Sequence, residues 1–135
     1  MKINILVFLV FTLFLTSCVL EPPTSIINCT IVNKTDSIIY IDYEMQNELY
    51  PELDTIYPGQ EFLKHKMLLG CTNHLSDSVI YHVFKKLQLK TKNRKLNMNP
   101  FLKSNWSELL EIHGDNCKNG KLYYTLKISN ENLNN

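Results

Sequence analysis

The chain has 135 residues, of which 14 are basic and 13 acidic, so its formal net charge is +1. This near neutrality argues against nucleic-acid binding, because a domain that binds phosphate backbones carries a clear excess of Lys and Arg. The length suffices for one domain with its own apolar core.

The first segment has the three parts of a secretory signal. Lys2 is positive, residues 5–15 are predominantly apolar, and the small residues Thr16 and Ser17 precede Cys18. The apolar run is shorter than the about 20 residues that a membrane-spanning helix needs. Residues 1–17 are therefore predicted to be a cleaved signal peptide. A permanently inserted helix and an ordinary secretory signal with an incidental Cys18 are the alternatives.

The residues Leu15-Thr16-Ser17-Cys18 resemble the bacterial lipobox, in which an aliphatic residue, two small residues and a cysteine direct lipid attachment and cleavage. The resemblance implies that Cys18 carries a diacylglyceryl thioether, usually with an added amide-linked acyl chain. Two or more chains make membrane anchoring stable. Val19 and Leu20 differ from the aspartate associated with inner-membrane retention in some bacteria. We therefore expect a lipoprotein of the cell envelope, in the outer membrane of a Gram-negative bacterium.

The mature chain begins with a short tether, residues 18–25, which Pro22 and Pro23 stiffen toward an extended form. At about 3 Å per residue it would hold the domain about 20 Å from the lipid. The folded domain is predicted over residues 26–129. The asparagine-rich residues 130–135 are predicted to be a disordered tail, because they have little apolar content to pack.

Two alternating runs open the domain and predict strands. Their inward-facing residues are Ile27, Cys29 and Ile31 in the first strand, and Ile39, Ile41 and Tyr43 in the second. A hairpin with a four-residue turn at 33–36 is expected to join them. Residues 57–60, Tyr-Pro-Gly-Gln, predict a type II turn before a strand through Phe62, because proline presets the first central torsion and glycine accepts a positive second one.

The second half of the domain is less uniform. Residues 78–90 fit both a helix and a strand, and their β-branched and aromatic content favours the strand. Asn105 and Glu108 have the spacing of a helix cap, which predicts a short helix containing Trp106 before Gly114. Residues 122–128 alternate clearly and predict a final strand, whose inward-facing residues are Leu122, Tyr124, Leu126 and Ile128.

Six or more short strands without alternating helices predict an all-β sandwich with one short helix. Residues 31–38, 58–59, 77–84 and 123–130 together look like small envelope lipoproteins of Gram-negative bacteria that carry an immunoglobulin-like or transthyretin-like β domain. The resemblance implies an immunoglobulin-like sandwich, and it implies no known active site.

Three cysteines remain once Cys18 is lipidated. Cys29 lies on the apolar side of the first strand and is predicted to be buried and unpaired. Cys71 and Cys117 lie in loops and are predicted to form a disulfide, worth about 4 kcal/mol by the chain-entropy estimate. A zinc site of Cys71 and His74, completed by His65 and Cys117, is the alternative, but structural zinc usually needs two closely spaced ligand pairs.

The sequence predicts no catalytic residues, no cofactor and no metal. It contains no G-x-S-x-G, no H-E-x-x-H and no glycine-rich phosphate loop. Glu108 and Glu111 are expected to face solvent rather than to act as an acid–base pair.

The charges are segregated along the chain. Residues 35–62 contain seven acidic side chains and no basic one, whereas residues 85–95 contain six basic side chains and no acidic one. One interpretation is a basic strip for acidic glycans or lipid head groups. The favoured interpretation is an edge strand whose lysines block unwanted strand pairing. Trp106 and Tyr123 could likewise form a platform for stacking a sugar, or simply pack in the sheet.

The sequence therefore predicts a lipid-anchored envelope lipoprotein that is not an enzyme and acts as an interaction or structural module. A glycan- or peptide-binding protein is the alternative. The partners expected are the membrane, through the anchor, and envelope proteins or glycans. An exposed apolar patch or an unblocked sheet edge would favour the first interpretation, and a concave site lined by aromatic residues would favour the second.

Overall fold

The structure is a computed structural model that describes residues 24–69, 79–111 and 120–134. Within those ranges the chain forms nine strands, one short helix and two 3₁₀ turns. The elements are β1 (Thr24–Asn33), β2 (Ile39–Met45), β3 (Glu52–Ile56), β4 (Glu61–Leu69), α1 (Val79–Val83), β5 (Phe84–Lys90), β6 (Lys95–Leu96), β7 (Trp106–Glu111), β8 (Gly120–Ile128) and β9 (Leu133–Asn134), with the 3₁₀ turns at Lys103–Asn105 and Asn130–Asn132.

The strands form two main sheets and one small one. The first sheet has the order β4-β1-β8-β7, the second β3-β2-β5, and β6 pairs with β9. β1 pairs with β4 in antiparallel fashion and with β8 in parallel. The prediction of a mainly β fold is therefore confirmed.

Both main sheets contribute to one apolar core. The predicted inward residues of β1, β2 and β8 are all buried, and their neighbours on the strands point outward, as the two-residue period of a strand requires. The buried side chains from these strands are Ile27, Cys29, Ile31, Ile39, Ile41, Tyr43, Leu122, Tyr124, Leu126 and Ile128. The alternation of the sequence thus identified the core face of each strand correctly.

The predicted hairpin between the first two strands is wrong. β1 and β2 lie in different sheets, so the connection at 34–38 crosses the core from one sheet to the other. The reason is the buried side chain of Asn33, whose Nδ2 donates to the carbonyl oxygens of Ser37 at 2.8 Å and Ile56 at 2.9 Å. Its Oδ1 accepts from the backbone N–H of Thr35 at 2.9 Å and from the Thr35 hydroxyl at 2.7 Å.

The turn at 57–60 forms as predicted. Gly59 has a φ of +80°, and the Gln60 N–H donates to the Tyr57 carbonyl oxygen at 3.0 Å. This turn joins β3 to β4 and so also crosses between the sheets. The Gly59 N–H donates to the Asn33 carbonyl oxygen at 2.8 Å, so both crossings meet at Asn33.

The stretch at 78–90 contains a short helix and then a strand, so each of the two predicted patterns applies to one part of it. Val79, Ile80 and Val83 are buried on the single turn of α1, and Leu87 and Leu89 are buried on β5. The predicted strand is therefore confirmed from Phe84 onward. The register of β2 and β5 shifts between Glu44 and Met45, where α1 gives way to the strand.

Two local predictions are wrong. The expected helix around Trp106 is the strand β7, which pairs with β8. The expected disordered tail instead forms a 3₁₀ turn and β9, and Leu133 is buried there. In both places the partner strand, which local sequence does not reveal, determines the structure.

Candidate functional site

Most of the predicted site residues lie outside the described residues. These are the lipidation site Cys18, the disulfide pair Cys71 and Cys117, and His74 of the zinc alternative. The lipid anchor and the Cys71–Cys117 bond therefore stay predictions.

Cys29 is the exception, and it is fully buried on β1 and forms no disulfide. Both parts of its prediction are confirmed. Burial raises the pKa of the Cys29 thiol from 9.0 to about 12, because a thiolate would lose its hydration in the core. The thiol stays protonated at neutral pH, so Cys29 acts as a small core residue and not as a nucleophile.

The segregated charges of the sequence meet across two neighbouring strands. β2 carries acidic residues and pairs with β5, which carries basic ones. Lys86 Nζ lies 2.7 Å from Asp42 Oδ2, and Lys85 pairs with Glu44. β5 is an edge strand, as the favoured interpretation required, and the first half of its basic strip is neutralised by β2.

A second part of the basic strip lies beside an exposed aromatic ring, and we name this region the Tyr40 surface. Tyr40 is 43% exposed on the outer face of the three-stranded sheet, between Thr55 of β3 and Lys90 of β5. A cleft of about 360 Å³ lies on one side, lined also by Asp42, Leu53 and Asp54. A cleft of about 280 Å³ lies on the other side, lined also by Ser37, Ile38, Thr91, Lys92, Asn93 and Arg94.

The Tyr40 surface combines cations with hydrogen-bonding groups. Arg94 pairs with Asp36 at 2.9 Å, whereas Lys90 and Lys92 have no ion pair among the described residues. The hydrogen bond from Ser37 and the charge of Arg94 lower the pKa of the Asp36 carboxyl. Lys90 and Lys92 outnumber Asp54, the carboxylate of this surface without an ion pair among the described residues, so the surface has a small excess of positive charge.

The sugar-stacking platform considered for Trp106 and Tyr123 does not form. Trp106 is buried on the core side of β7, where its indole Nε1 donates to the Pro100 carbonyl oxygen at 2.7 Å. Tyr123 pairs with Leu109 and lies on the opposite, outer face. A single ligand cannot stack on two rings that lie on opposite faces of one sheet.

The edge strand β7 presents apolar and acidic side chains. Leu109 is 59% exposed and Leu110 is 40% exposed. Glu108 is also exposed and forms an ion pair with Lys103 at 3.3 Å. The expectation that Glu108 faces solvent is met, although it does so from a strand and not from a helix.

The most exposed apolar side chains lie around the turn between β2 and β3, and we call residues 46–53 the hairpin tip. Leu49, Tyr50 and Leu53 are 86%, 77% and 83% exposed. Asn47 has a φ of +73°, a left-handed conformation that asparagine tolerates well. Sequence reasoning gave no role to this irregular segment, because exposure of three apolar residues cannot be read from their order.

The base of the hairpin tip is closed by a cluster of Tyr43, Glu52 and Lys64. The Tyr43 hydroxyl donates to Glu52, and Lys64 Nζ lies 3.3 Å from Glu52 Oε2 and 4.7 Å from the centre of the Tyr43 ring. The hydrogen bond from Tyr43 lowers the pKa of Glu52, and burial raises the pKa of Tyr43. The cluster connects β2, β3 and β4, and neither cleft at Tyr40 includes its groups.

Within residues 24–69, 79–111 and 120–134, no set of three or more His, Cys, Asp or Glu side chains is placed to hold a metal ion. In the same ranges no helix has the length and apolar character to cross a membrane. No protein-family model, curated protein or solved structure matches the chain.

Proposed function

We propose that this chain is a lipid-anchored lipoprotein of the cell envelope whose domain is a non-catalytic interaction module. The lipobox at Leu15–Cys18 supports the anchor. Two sheets over one core, with the first strand pairing both β4 and β8, support an immunoglobulin-like sandwich. Such sandwiches serve as rigid frames for binding surfaces.

The observation that carries the proposed binding function is the position of Tyr40 between two clefts. A tyrosine ring offers an apolar face for stacking and a hydroxyl for hydrogen bonding. Lys90 and Lys92 add positive charge at its two sides. This combination suits an acidic glycan, whose sugar faces stack on aromatic rings and whose carboxylates pair with lysine.

The position of the Tyr40 surface agrees with an anchored module. The tether would enter the domain at Thr24, where β1 pairs with Leu69 of β4. Asn33 at the other end of β1 contacts Ser37, which lines a cleft of the Tyr40 surface. The cleft lined by Ser37 therefore lies at the end of β1 away from Thr24, where a ligand of the envelope has access.

The anchor is tested by metabolic labelling with palmitate. Label should enter the wild-type protein and be lost in Cys18→Ser, because the thioether needs the cysteine sulfur. A Cys18→Ser protein that is labelled as strongly as the wild type would disprove lipidation at this residue.

The binding function is tested by calorimetry with oligogalacturonides as an acidic probe and malto-oligosaccharides of the same length as a neutral one. Tyr40→Ala should weaken oligogalacturonide binding about tenfold, equivalent to about 1.4 kcal/mol. Lys90→Ala should weaken it too, with a smaller dependence on salt concentration.

Two variants of similar side chains serve as controls for that experiment. Tyr57→Ala removes another exposed tyrosine, and Lys127→Ala removes an exposed lysine from the outer face of β8. Neither should change the affinity. The proposal of an acidic-glycan site is wrong if the neutral probe binds equally well or if Tyr40→Ala binds as the wild type does.

A further inference from the structure

We infer that the hairpin tip enters the membrane surface beside the acyl chains of Cys18 and gives the domain a second contact with lipid. The inference rests on the lipid anchor proposed above and goes beyond it, because it fixes how the domain is oriented on the membrane. It is carried by the exposure of the tip, by its place in the fold and by the length of the tether.

The composition of the tip is that of a membrane-surface segment. Leu49 and Tyr50 are adjacent in sequence and are 86% and 77% exposed. Exposed apolar groups of this kind mark contacts with membranes or other proteins. Tyrosine is enriched at membrane–water interfaces, because its ring sits among the head groups while its hydroxyl stays hydrated.

The contacts of β4 place the tip at the end of the domain where the tether enters. Lys64 pairs in register with Cys29 and contacts Glu52 at the base of the hairpin. Lys66 pairs with Ile27, two residues closer to Thr24, and its Nζ lies 3.5 Å from the Gln46 carbonyl oxygen. The hairpin therefore runs toward the Thr24 end of β1 and continues past Gln46.

A second aromatic residue lies beside the tip at the same end. The Gln46 side chain donates to the Tyr81 carbonyl oxygen at 2.9 Å, and Lys66 Nζ donates to the His82 carbonyl oxygen at 2.7 Å. Tyr81 of α1 is 49% exposed and stacks on Phe101 with ring centres 4.4 Å apart. These hydrogen bonds join Gln46 and Lys66 to α1. The tip is therefore held by contacts with α1 as well as by the pairing of β2 with β3.

The tether cannot carry this end of the domain far from the membrane. Thr24 is the sixth residue after Cys18, so even the extended tether expected from Pro22 and Pro23 spans at most about 20 Å. Any shorter conformation brings Thr24 closer to the head groups. Tyr40 lies near the start of β2, whereas the tip follows the end of that strand, although Leu53 borders one cleft of the Tyr40 surface. The same orientation therefore leaves the cleft between Ser37 and Arg94 facing away from the membrane.

The charges near the tip indicate which lipid it meets. Glu52 is paired with Lys64, whereas Glu48 has no ion pair among the described residues, so anionic lipids would repel Glu48. A surface of zwitterionic phospholipid has no net charge and would not repel this carboxylate. Glu48 can remain among the head groups while Leu49 and Tyr50 enter by the about 5–10 Å that is typical of interfacial segments.

The experiment uses the full lipidated protein, reconstituted in vesicles of phosphatidylethanolamine and phosphatidylcholine. Tyr50→Trp introduces a fluorescent reporter at the tip, and the parent protein, whose single tryptophan Trp106 is only 6% exposed, supplies the baseline. Phosphatidylcholine brominated on the acyl chains near the head group quenches any indole at that depth. Tyr57→Trp, at an exposed turn on the opposite end, is the matched control.

The added emission of Tyr50→Trp should shift to shorter wavelength and be largely lost in brominated vesicles, whereas that of Tyr57→Trp should be unaffected. Mass spectrometry of the same samples reports acylation separately. Acylated protein with an unquenched Tyr50→Trp would overturn the inference and leave the anchor intact. Protein without acyl chains would disprove the anchor and the inference together. An unquenched tip that instead crosslinks to another envelope protein would assign it to a protein partner.

Discussion

Thr35 donates its hydroxyl to the side-chain oxygen of Asn33 at 2.7 Å, although Asn33 is 0% and Thr35 only 5% exposed. A buried polar pair of this kind is tolerated only when its remaining groups are satisfied as well. Here they are, through Ser37 and Ile56. The pair fixes the point at which the chain leaves one sheet for the other.

Asn33→Ala should lower the free energy of unfolding by about 3 kcal/mol. It leaves the Ile56 carbonyl and the Thr35 N–H buried without their partner, at about 1–3 kcal/mol for each unsatisfied group. Urea unfolding followed by circular dichroism measures the change. The control is Asn93→Ala, which removes an exposed amide and should cost less than about 0.5 kcal/mol. Equal effects of the two variants would contradict this role of Asn33.

Ile128→Asp should prevent folding, whereas Lys127→Asp should change stability by less than about 0.5 kcal/mol. Ile128 is fully buried and Lys127 is exposed on the opposite face of β8. The first substitution removes about 1.5–3 kcal/mol of apolar burial and adds an unpaired charge to a domain whose total stability is about 5–15 kcal/mol. Thermal melts with and without a chelator decide the matter. A melt that depends on the chelator would revive the zinc alternative at Cys71 and His74.

Stability should fall at alkaline pH in part because of Cys29. Its pKa is about 12 in the folded protein and 9.0 in its ordinary environment, so above 9.0 the unfolded chain releases a proton that the folded chain keeps. The contribution of the Cys29 thiol to the free energy of unfolding is complete below pH 9.0 and is lost as the pH rises toward 12. Urea unfolding across this range should show a shallower decline in Cys29→Ala than in the wild type. Parallel declines would show that the Cys29 thiol does not titrate as its burial requires.

The ion pair of Asp42 and Lys86 should give a charge-reversal rescue. Asp42→Lys places a cation beside the basic side chains of β5 and should cost about 1 kcal/mol, which is the upper range for partly exposed pairs. The double variant Asp42→Lys with Lys86→Asp should recover most of that loss. Added salt should reduce both effects, since it screens exposed charges. A double variant as unstable as the sum of its two single variants would refute the pairing.

Strand identity could be predicted from the sequence, but strand partners could not. Alternation in β1, β2 and β8 assigned Ile27, Tyr43 and Ile128 to the core, because the side-chain period of a strand depends on local geometry alone. Which strand lies beside which depends on contacts between distant residues. The hairpin prediction was wrong for this reason, since nothing local shows that Asn33 reaches Ile56, 23 residues away.

The sequence predicted which kinds of charged residue the candidate site contains, but not how they are arranged. The sequence showed a basic segment and an acidic one, but not that Lys86 would be neutralised by Asp42 while Lys90 would remain unpaired beside Tyr40. That division depends on the register of β2 against β5. The error at Trp106 has the same origin, because its helix-like spacing is overridden by pairing with Leu126 of β8.

The parallel pairing of β1 with β8 has a consequence for the order in which the protein matures. Ser25 is the register partner of Gly120, so the first strand of the domain gains one of its two neighbours only when nearly the whole chain is present. Contacts between such distant residues form late, because a long loop must close first. A chain that emerges with its amino terminus first therefore keeps one edge of β1 unpaired until β8 emerges. The exposed edge of β1 is therefore the place where an incomplete chain is open to pairing with another strand.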